Sequence, residues 1–183
     1  MAKSLNNIVM HGASGKLGNQ IVFRQGKGGQ TIIAVKPAAG RTFTPTQLTH
    51  QEAFRYAIAY AKSAKDETAY ITKAQGTTMS AFNAAVADWF TKPQVLEIDA
   101  SNWTGEAGEI IRIKAQDDTS VTQVRVVIHA ASGTTLEMGN AVQADGLWWQ
   151  YTTQAQTAGD PNPRITATVQ DLPGNTHEMS WAN

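Results

Sequence analysis

Residues 121–153 read VTQVRVVIHAASGTTLEMGNAVQADGLWWQYTT. The runs 121–130, 134–139 and 147–153 are rich in β-branched and aromatic residues, the composition of strands. Ser132-Gly133 and Asp145-Gly146 fall between them, and such residues mark tight turns. The same rhythm extends outward in both directions. Further strand-like runs lie at 95–99, 109–115, 164–170 and 177–181. They are separated by Gly105, by Asp117-Asp118, by Gly159-Asp160-Pro161-Asn162-Pro163 and by Pro173-Gly174-Asn175. Seven short strands in about 90 residues, each ended by a turn signal, predict a β-sandwich.

Upstream of Pro93 the character changes, and a domain boundary is placed there. Thr44 is the expected N-cap of a helix and Pro45 its first residue. Leu48, Phe54, Ile58 and Ala61 recur at helical spacing, so the helix is predicted from Pro45 to about Ala64. Residues 66–75 read as a weaker helix, Gly76-Thr77-Thr78 interrupts, and 79–90 reads as a third helix. Its expected apolar side is Phe82, Val86, Trp89 and Phe90, and Lys92-Pro93 ends it. Nearer the N-terminus, 19–24 and 30–35 read as strands joined by a Gly26-Lys27-Gly28-Gly29 hairpin loop, with 7–10 as a third, shorter strand. A hairpin this small buries too little to stand alone, so it needs a partner in its own chain or in another. The expected fold class is α+β and mainly β. It comprises an N-terminal Gly-rich β-hairpin and central helices over residues 1–92, then an Ig-like β-sandwich over residues 93–183.

Lys plus Arg and Asp plus Glu both number 15, yet the balance is uneven along the chain. Residues 1–92 hold 11 basic against 4 acidic side chains, a net of +7; residues 93–183 hold 4 against 11, a net of −7. Three readings follow. A basic arm contacts nucleic acid; the basic half of one subunit meets the acidic half of the next, giving rings or open filaments; or two domains simply have different solvated surfaces. The chain has no cysteine, which excludes a disulfide scaffold, Cys-ligated zinc, iron–sulfur clusters and thiol catalysis. No apolar run approaches the roughly 20 residues that span a bilayer. MAKSLNNIVMHGASGK shows no apolar core of a secretory signal, so export would require a signal already removed or an unusual route.

Candidate chemical motifs are few. Gly12, Gly15 and Gly18 form G-x-x-G-x-x-G after a strand-like run and resemble the nucleotide-binding turn of short-chain dehydrogenases. That turn requires a long helix next, an acidic residue about 20 positions on and further βαβ repeats, and none of these follows. A phosphate loop fails because Met10 and Leu17 stand where Gly and Ser or Thr are needed. His11, His50, His129 and His177 are scattered and make no ligand pair. Asp117-Asp118 and Asp160 suit a calcium-binding loop, but turns select aspartate in any case. No catalytic residue, cofactor or metal is expected. Asn102-Trp103-Thr104 matches a glycosylation sequon, which matters only on an exported chain. Trp148 and Trp149 adjoin in one strand and must point to opposite faces. Either one is core and the other is exposed for a glycan or protein, or covered by a partner, or both are buried, in the sandwich or against the helical half.

Two resemblances add to this reading. The stretch at 121–153 and the later ITATVQDLPGNTHEMSW resemble bacterial Ig-like modules of extracellular and viral structural proteins. The resemblance rests on Ser132-Gly133 in a hairpin, on 146–151 in the following strand, and on 167–175 before the last strand. It implies a spacer, adhesin or decoration with no active site. The cysteine pair of antibody domains is absent, as is common in bacterial versions. Gly15-Lys16-Leu17-Gly18, Val22, Arg24, Gly29, Lys36-Pro37, Thr46-Gln47, Phe54 and Arg55 resemble uncharacterised bacterial and phage proteins. In those a glycine-rich hairpin precedes a Thr-x-x-Gln…Phe helix. The function expected is non-enzymatic: a self-assembling subunit of an extracellular filament or a virion, its partner being itself as a homo-oligomeric filament or ring. Ile21, Val22, Phe23, Ile32, Ile33 and Val35 are the expected shared sheet, with Lys16, Arg24 and Lys27 for charge pairing. The alternatives are a glycan- or protein-binding module using Trp148 or Trp149, and nucleic-acid binding through the basic arm.

Overall fold

The computed structural model describes residues 2–4, 9–10, 12–26, 28–36, 40, 42–157, 159 and 163–182. Its first unit is a four-stranded antiparallel sheet in the order β1-β4-β3-β2, built from β1 (Ala2–Ser4), β2 (Gly15–Leu17), β3 (Ile21–Gln25) and β4 (Thr31–Val35). β3 and β4 pair from Ile21 opposite Val35 to Gln25 opposite Thr31. Both already have a neighbour on their other side: Lys3 lies opposite Ile32 and Lys16 opposite Val22. The hairpin is thus completed by strands of its own chain, and these are not where the sequence places them. Val9 and Met10 form a turn, while Asn7 and Ile8 lie outside the described residues. β1 and β2 are three residues each and carry no β-branched residue, so no periodicity reveals them. β2 also occupies the position where a nucleotide-binding turn would start its helix.

Helix α1 (Pro45–Ala64) begins with a capping box. The Thr44 hydroxyl accepts from the Gln47 backbone N–H at 3.3 Å, and the Gln47 side chain accepts from the Thr44 N–H at 3.0 Å. Helices α2 (Thr68–Ala74) and α3 (Ala81–Phe90) follow, the latter capped by Ser80. They meet in a small core of Ala61, Ala64, Tyr70, Ala84 and Ala85. The expected aromatic face of α3 is not its buried one. Ala84, Ala85 and Asp88 are buried, Phe82, Val86 and Trp89 are half-buried, and Phe90 is exposed. Small residues of α1 and α3 pack around the buried Tyr70 of α2, which leaves the large residues of α3 at the margin.

From Pro93, which is fully buried, the chain passes directly into strands. β5 (Gln94–Asp99), β6 (Ile110–Gln116), β9 (Val142–Gln143) and β10 (Trp148–Thr152) form one sheet in the order β5-β6-β10-β9. β7 (Val121–His129), β8 (Thr135–Asn140), β11 (Arg164–Asp171) and β12 (Thr176–Ala182) form the other, in the order β12-β11-β7-β8. The period of two is clear in the burial: Ile111 and Ile113, Val124, Val126 and Ile128, and Ile165, Ala167 and Val169 all point into one shared core. The two sheets therefore pack face to face as a sandwich. The protein is mainly β with three helices among the described residues. No helix among them is long and apolar enough to cross a membrane.

Candidate assembly surface and polar junction

The N-terminal sheet has two distinct faces, which its register defines. Directly opposed residues share a face, and neighbours along a strand alternate. Leu17, Ile21, Phe23, Ile33 and Val35 therefore lie on one face, and Lys16, Val22, Arg24, Ile32 and Ala34 on the other. The first face ends in polar Gln25 and Thr31, and that end is closed. Thr31 Oγ1 donates to the Met10 carbonyl at 2.9 Å, and Gln25 Nε2 donates to the Ala13 carbonyl at 2.6 Å and to Thr31 Oγ1 at 3.0 Å. The apolar end is open, with Leu17 62% and Val35 81% exposed. On the opposite face Lys16 and Arg24 are exposed, and Lys27 lies outside the described residues.

The lack of burial continues into α1. Among the described residues from 9 to 56, Thr31 alone is buried. Leu48 and Phe54, expected against a core, are 52% and 49% exposed. No residue in the first three turns of α1 is buried, and the Phe54 ring stacks on Phe90 at 6.5 Å. His50, Gln51 and Arg55 complete a shallow cleft beside this pair. Helical periodicity identifies these apolar positions but not what covers them.

The adjoining tryptophans separate as strand geometry demands. Trp149 is buried in the sandwich core. Trp148 faces outward on β10, where the Arg112 guanidinium lies 4.5 Å from its ring centroid and the Lys114 ammonium 5.6 Å. Its face is occupied by cations of its own chain, an arrangement that stabilises both partners.

A third constellation joins the helices to the sandwich. Tyr70 of α2 donates to Asp88 Oδ2 of α3 at 2.5 Å, and the Tyr60 and Tyr70 hydroxyls are 2.8 Å apart. Asp88 is fully buried. Burial pushes its carboxyl up to about 6, against the lowering effect of the Tyr70 hydrogen bond. Burial and the Asp88 carboxylate also raise Tyr70 far above the ordinary phenol range. From the sandwich, the turn between β6 and β7 brings Asp117 and Asp118 to the same place. One carboxylate oxygen from each of Asp88, Asp117 and Asp118 lies within 4.8 Å of the others. Lys73 of α2 reaches Asp118 Oδ2 at 2.5 Å and Thr119 Oγ1 at 2.8 Å. Nearby, Asn175 Nδ2 donates to the carbonyl of Thr91 at 3.2 Å and to Asp171 Oδ2 at 2.8 Å, anchoring the end of α3. Asp117-Asp118 is visible as a turn in the sequence. Asp88, inside a helix and remote along the chain, gives no signal that it belongs with them. Asp160 lies outside the described residues.

No protein-family model matches the sequence, and no curated protein matches it either. Among solved structures, partial likeness is found to an engineered protein, with TM-score 0.38 and 23% identity. That alignment covers 56% of this chain and 26% of the other, so this chain spans about a quarter of that protein's length. CopC from Methylosinus trichosporium OB3b aligns with TM-score 0.36 and 13% identity, over 49% of this chain and 89% of CopC. A conjugative transposon lipoprotein from Bacteroides eggerthii DSM 20697 aligns with TM-score 0.25 and 16% identity, over 50% of this chain and 94% of that one.

Proposed function

We propose that the chain is a non-enzymatic structural protein that self-assembles through its N-terminal half, as a filament or virion subunit, and displays an Ig-like sandwich outward. The observation that carries this reading is the scarcity of burial near the N-terminus: Thr31 is the sole buried residue among those described from 9 to 56. Full burial of one Leu, Ile, Val or Phe side chain contributes about 1.5–3 kcal/mol. A neighbour covering the Leu17–Ile21–Phe23–Ile33–Val35 face thus supplies burial that the described residues from 9 to 56 do not find within the chain. The opposite face carries Lys16 and Arg24, and the second half of the chain carries the net −7 that complements the +7 of the first. Two dissimilar faces on one sheet engage two different neighbours, and a heterologous contact of that kind propagates. Since β3 and β4 are paired on both sides, further strand addition falls to the outer edges of β1 and β2.

Negative-stain electron microscopy with light scattering on the purified chain tests the proposal. Regular filaments, tubes or rings are expected. A monodisperse 19.7 kDa monomer at high concentration overturns it.

A further inference from the structure

We propose that Asp88, Asp117 and Asp118 bind a hard divalent cation of the calcium class, which clips helix α3 to the β6–β7 turn. This site does not depend on self-assembly. Carboxylate oxygens without nitrogen or sulfur ligands suit calcium or magnesium. Oxygens held by one calcium ion at about 2.3–2.6 Å are at most about 5 Å apart. The 4.8 Å limit on the three aspartates falls inside that span.

Proximity of acidic groups is common, and a separate observation points to a ligand here. Asp88 is 0% exposed, yet its Oδ1 has no hydrogen-bond partner. A buried acceptor left unmade is costly, more so when charged. Asp117 Oδ1 is likewise buried without a partner. The companion oxygens of Asp88 and Asp117 are held from outside the cluster, and both oxygens of Asp118 have partners, Oδ1 accepting from the Thr119 hydroxyl at 3.3 Å. Tyr70 donates to Asp88 Oδ2, the backbone N–H groups of Thr119 and Ser120 both donate to Asp117 Oδ2 at 2.9 Å, and Lys73 holds Asp118 Oδ2. One oxygen of Asp88 and one of Asp117 are thus oriented by donors, which is how outer groups aim metal ligands, whereas Lys73 competes with a cation for Asp118. Three carboxylates against one ammonium leave a local charge of −2 when all are ionised, which a divalent cation neutralises.

Lys73 makes the idea testable without touching a ligand. Its ammonium shares Asp118 with the cation and opposes it by like charge, so Lys73→Met is expected to bind calcium several-fold more tightly. A purely structural ion pair would instead leave Lys73→Met destabilised and indifferent to calcium. The experiment is isothermal titration of the full chain with calcium chloride to about 10 mM, above the ~10⁻⁴–10⁻³ M range of extracellular calcium modules. Thermal melts with and without the ion accompany it, since a ligand of the folded state raises Tm. Expected are one saturable site per chain, at least a tenfold loss of affinity in Asp117→Asn and Asp118→Asn, and a gain in Lys73→Met. No saturable binding by the folded wild type overturns the proposal. So does equal binding by the wild type and the folded Asp118→Asn variant, and so does a Lys73→Met protein that binds no better.

Discussion

Gly139 on β8 is required for what it lacks. A Cβ built there would lie 2.7 Å from Tyr151 Cε2 and 3.0 Å from its hydroxyl. The Tyr151 ring cannot retreat freely, because its hydroxyl donates to Glu137 Oε1 at 2.6 Å. Glu137 in turn accepts from the backbone N–H groups of Gln154 at 2.6 Å and Ala155 at 3.0 Å, which ties β8 to the segment after β10. Gly139→Ala is therefore expected to destabilise the sandwich by about 1–3 kcal/mol, the range for forced overpacking, read as a lower urea midpoint at unchanged slope. Glu109 offers a prediction with a definite sign. The Thr104 hydroxyl and N–H, both at 2.7 Å, and the N–H groups of Gly105 and Glu106, both at 3.1 Å, donate to its carboxylate. These hydrogen bonds, led by the Thr104 hydroxyl, hold its pKa below the usual carboxylate value. A depressed folded pKa contributes stability that is present above the unfolded value and is lost as pH falls through the folded one. Acid titration of stability is expected to fall less steeply below the ordinary glutamate range in Glu109→Gln, and an unchanged slope would remove Glu109 from the account. Neither device is legible in the sequence. Gly139 reads there as one more strand residue, and Glu109 as the edge of a strand, because both act on groups that only the tertiary fold brings near.

At the scale of elements, legibility follows length and periodicity. The start of α1 is readable because Thr44, Pro45 and Gln47 act on one another locally, and the observed helix spans Pro45–Ala64. The seven longer runs of the C-terminal half form strands because their alternation reports burial directly, while β9, two residues long, has no period to read. The faces of the helices are less legible: Leu48 and Phe54 are spaced for a core, yet among the described residues both stand about half exposed. Thr44→Ala removes half of the capping box. It is expected to cost about 0.5–2 kcal/mol of local helix stability. Because residues 45–56 pack on so little, the loss should appear as faster amide exchange in those turns rather than as a lower global midpoint. A global loss instead would show that these turns are coupled to the core. The two faces of the N-terminal sheet predict separable effects as well. Val35→Asp places a charge on the apolar face at a position 81% exposed, so the fold is expected to persist while assembly is lost. Lys16→Glu with Arg24→Glu alters only the basic face. It is expected to weaken assembly most at low salt, where charge pairing is least screened. Assembly by Val35→Asp at the wild-type concentration would exclude the apolar face from the contact.

At the scale of the whole molecule, two cores and one coreless sheet divide the chain. Fifteen buried residues form the sandwich cluster, five form the helical cluster, and none of the twenty precedes Ala61. The helices are bound to the sandwich through Lys73 and Asp118, through Asn175, and through Leu172, which packs on the helical core. The sequence points to this division through its charge and through the undersized hairpin. It cannot show that the hairpin gains two flanking strands from its own chain and still buries no apolar residue among those described. That distinction decides what truncation does. If residues 1–36 covered a core, removing them would expose it and lower the melting temperature. Both cores are formed without them, so a chain beginning at Pro37 is expected to melt near the wild-type temperature, with an unchanged denaturant slope. Its assembly should be gone at every salt concentration, because the apolar face and its cationic reverse leave together. A truncated chain that still builds filaments would place the contact on the exposed turns of α1 or on the sandwich. A truncated chain that unfolds would show that the sheet covers apolar surface in the assembled state and is part of the fold there.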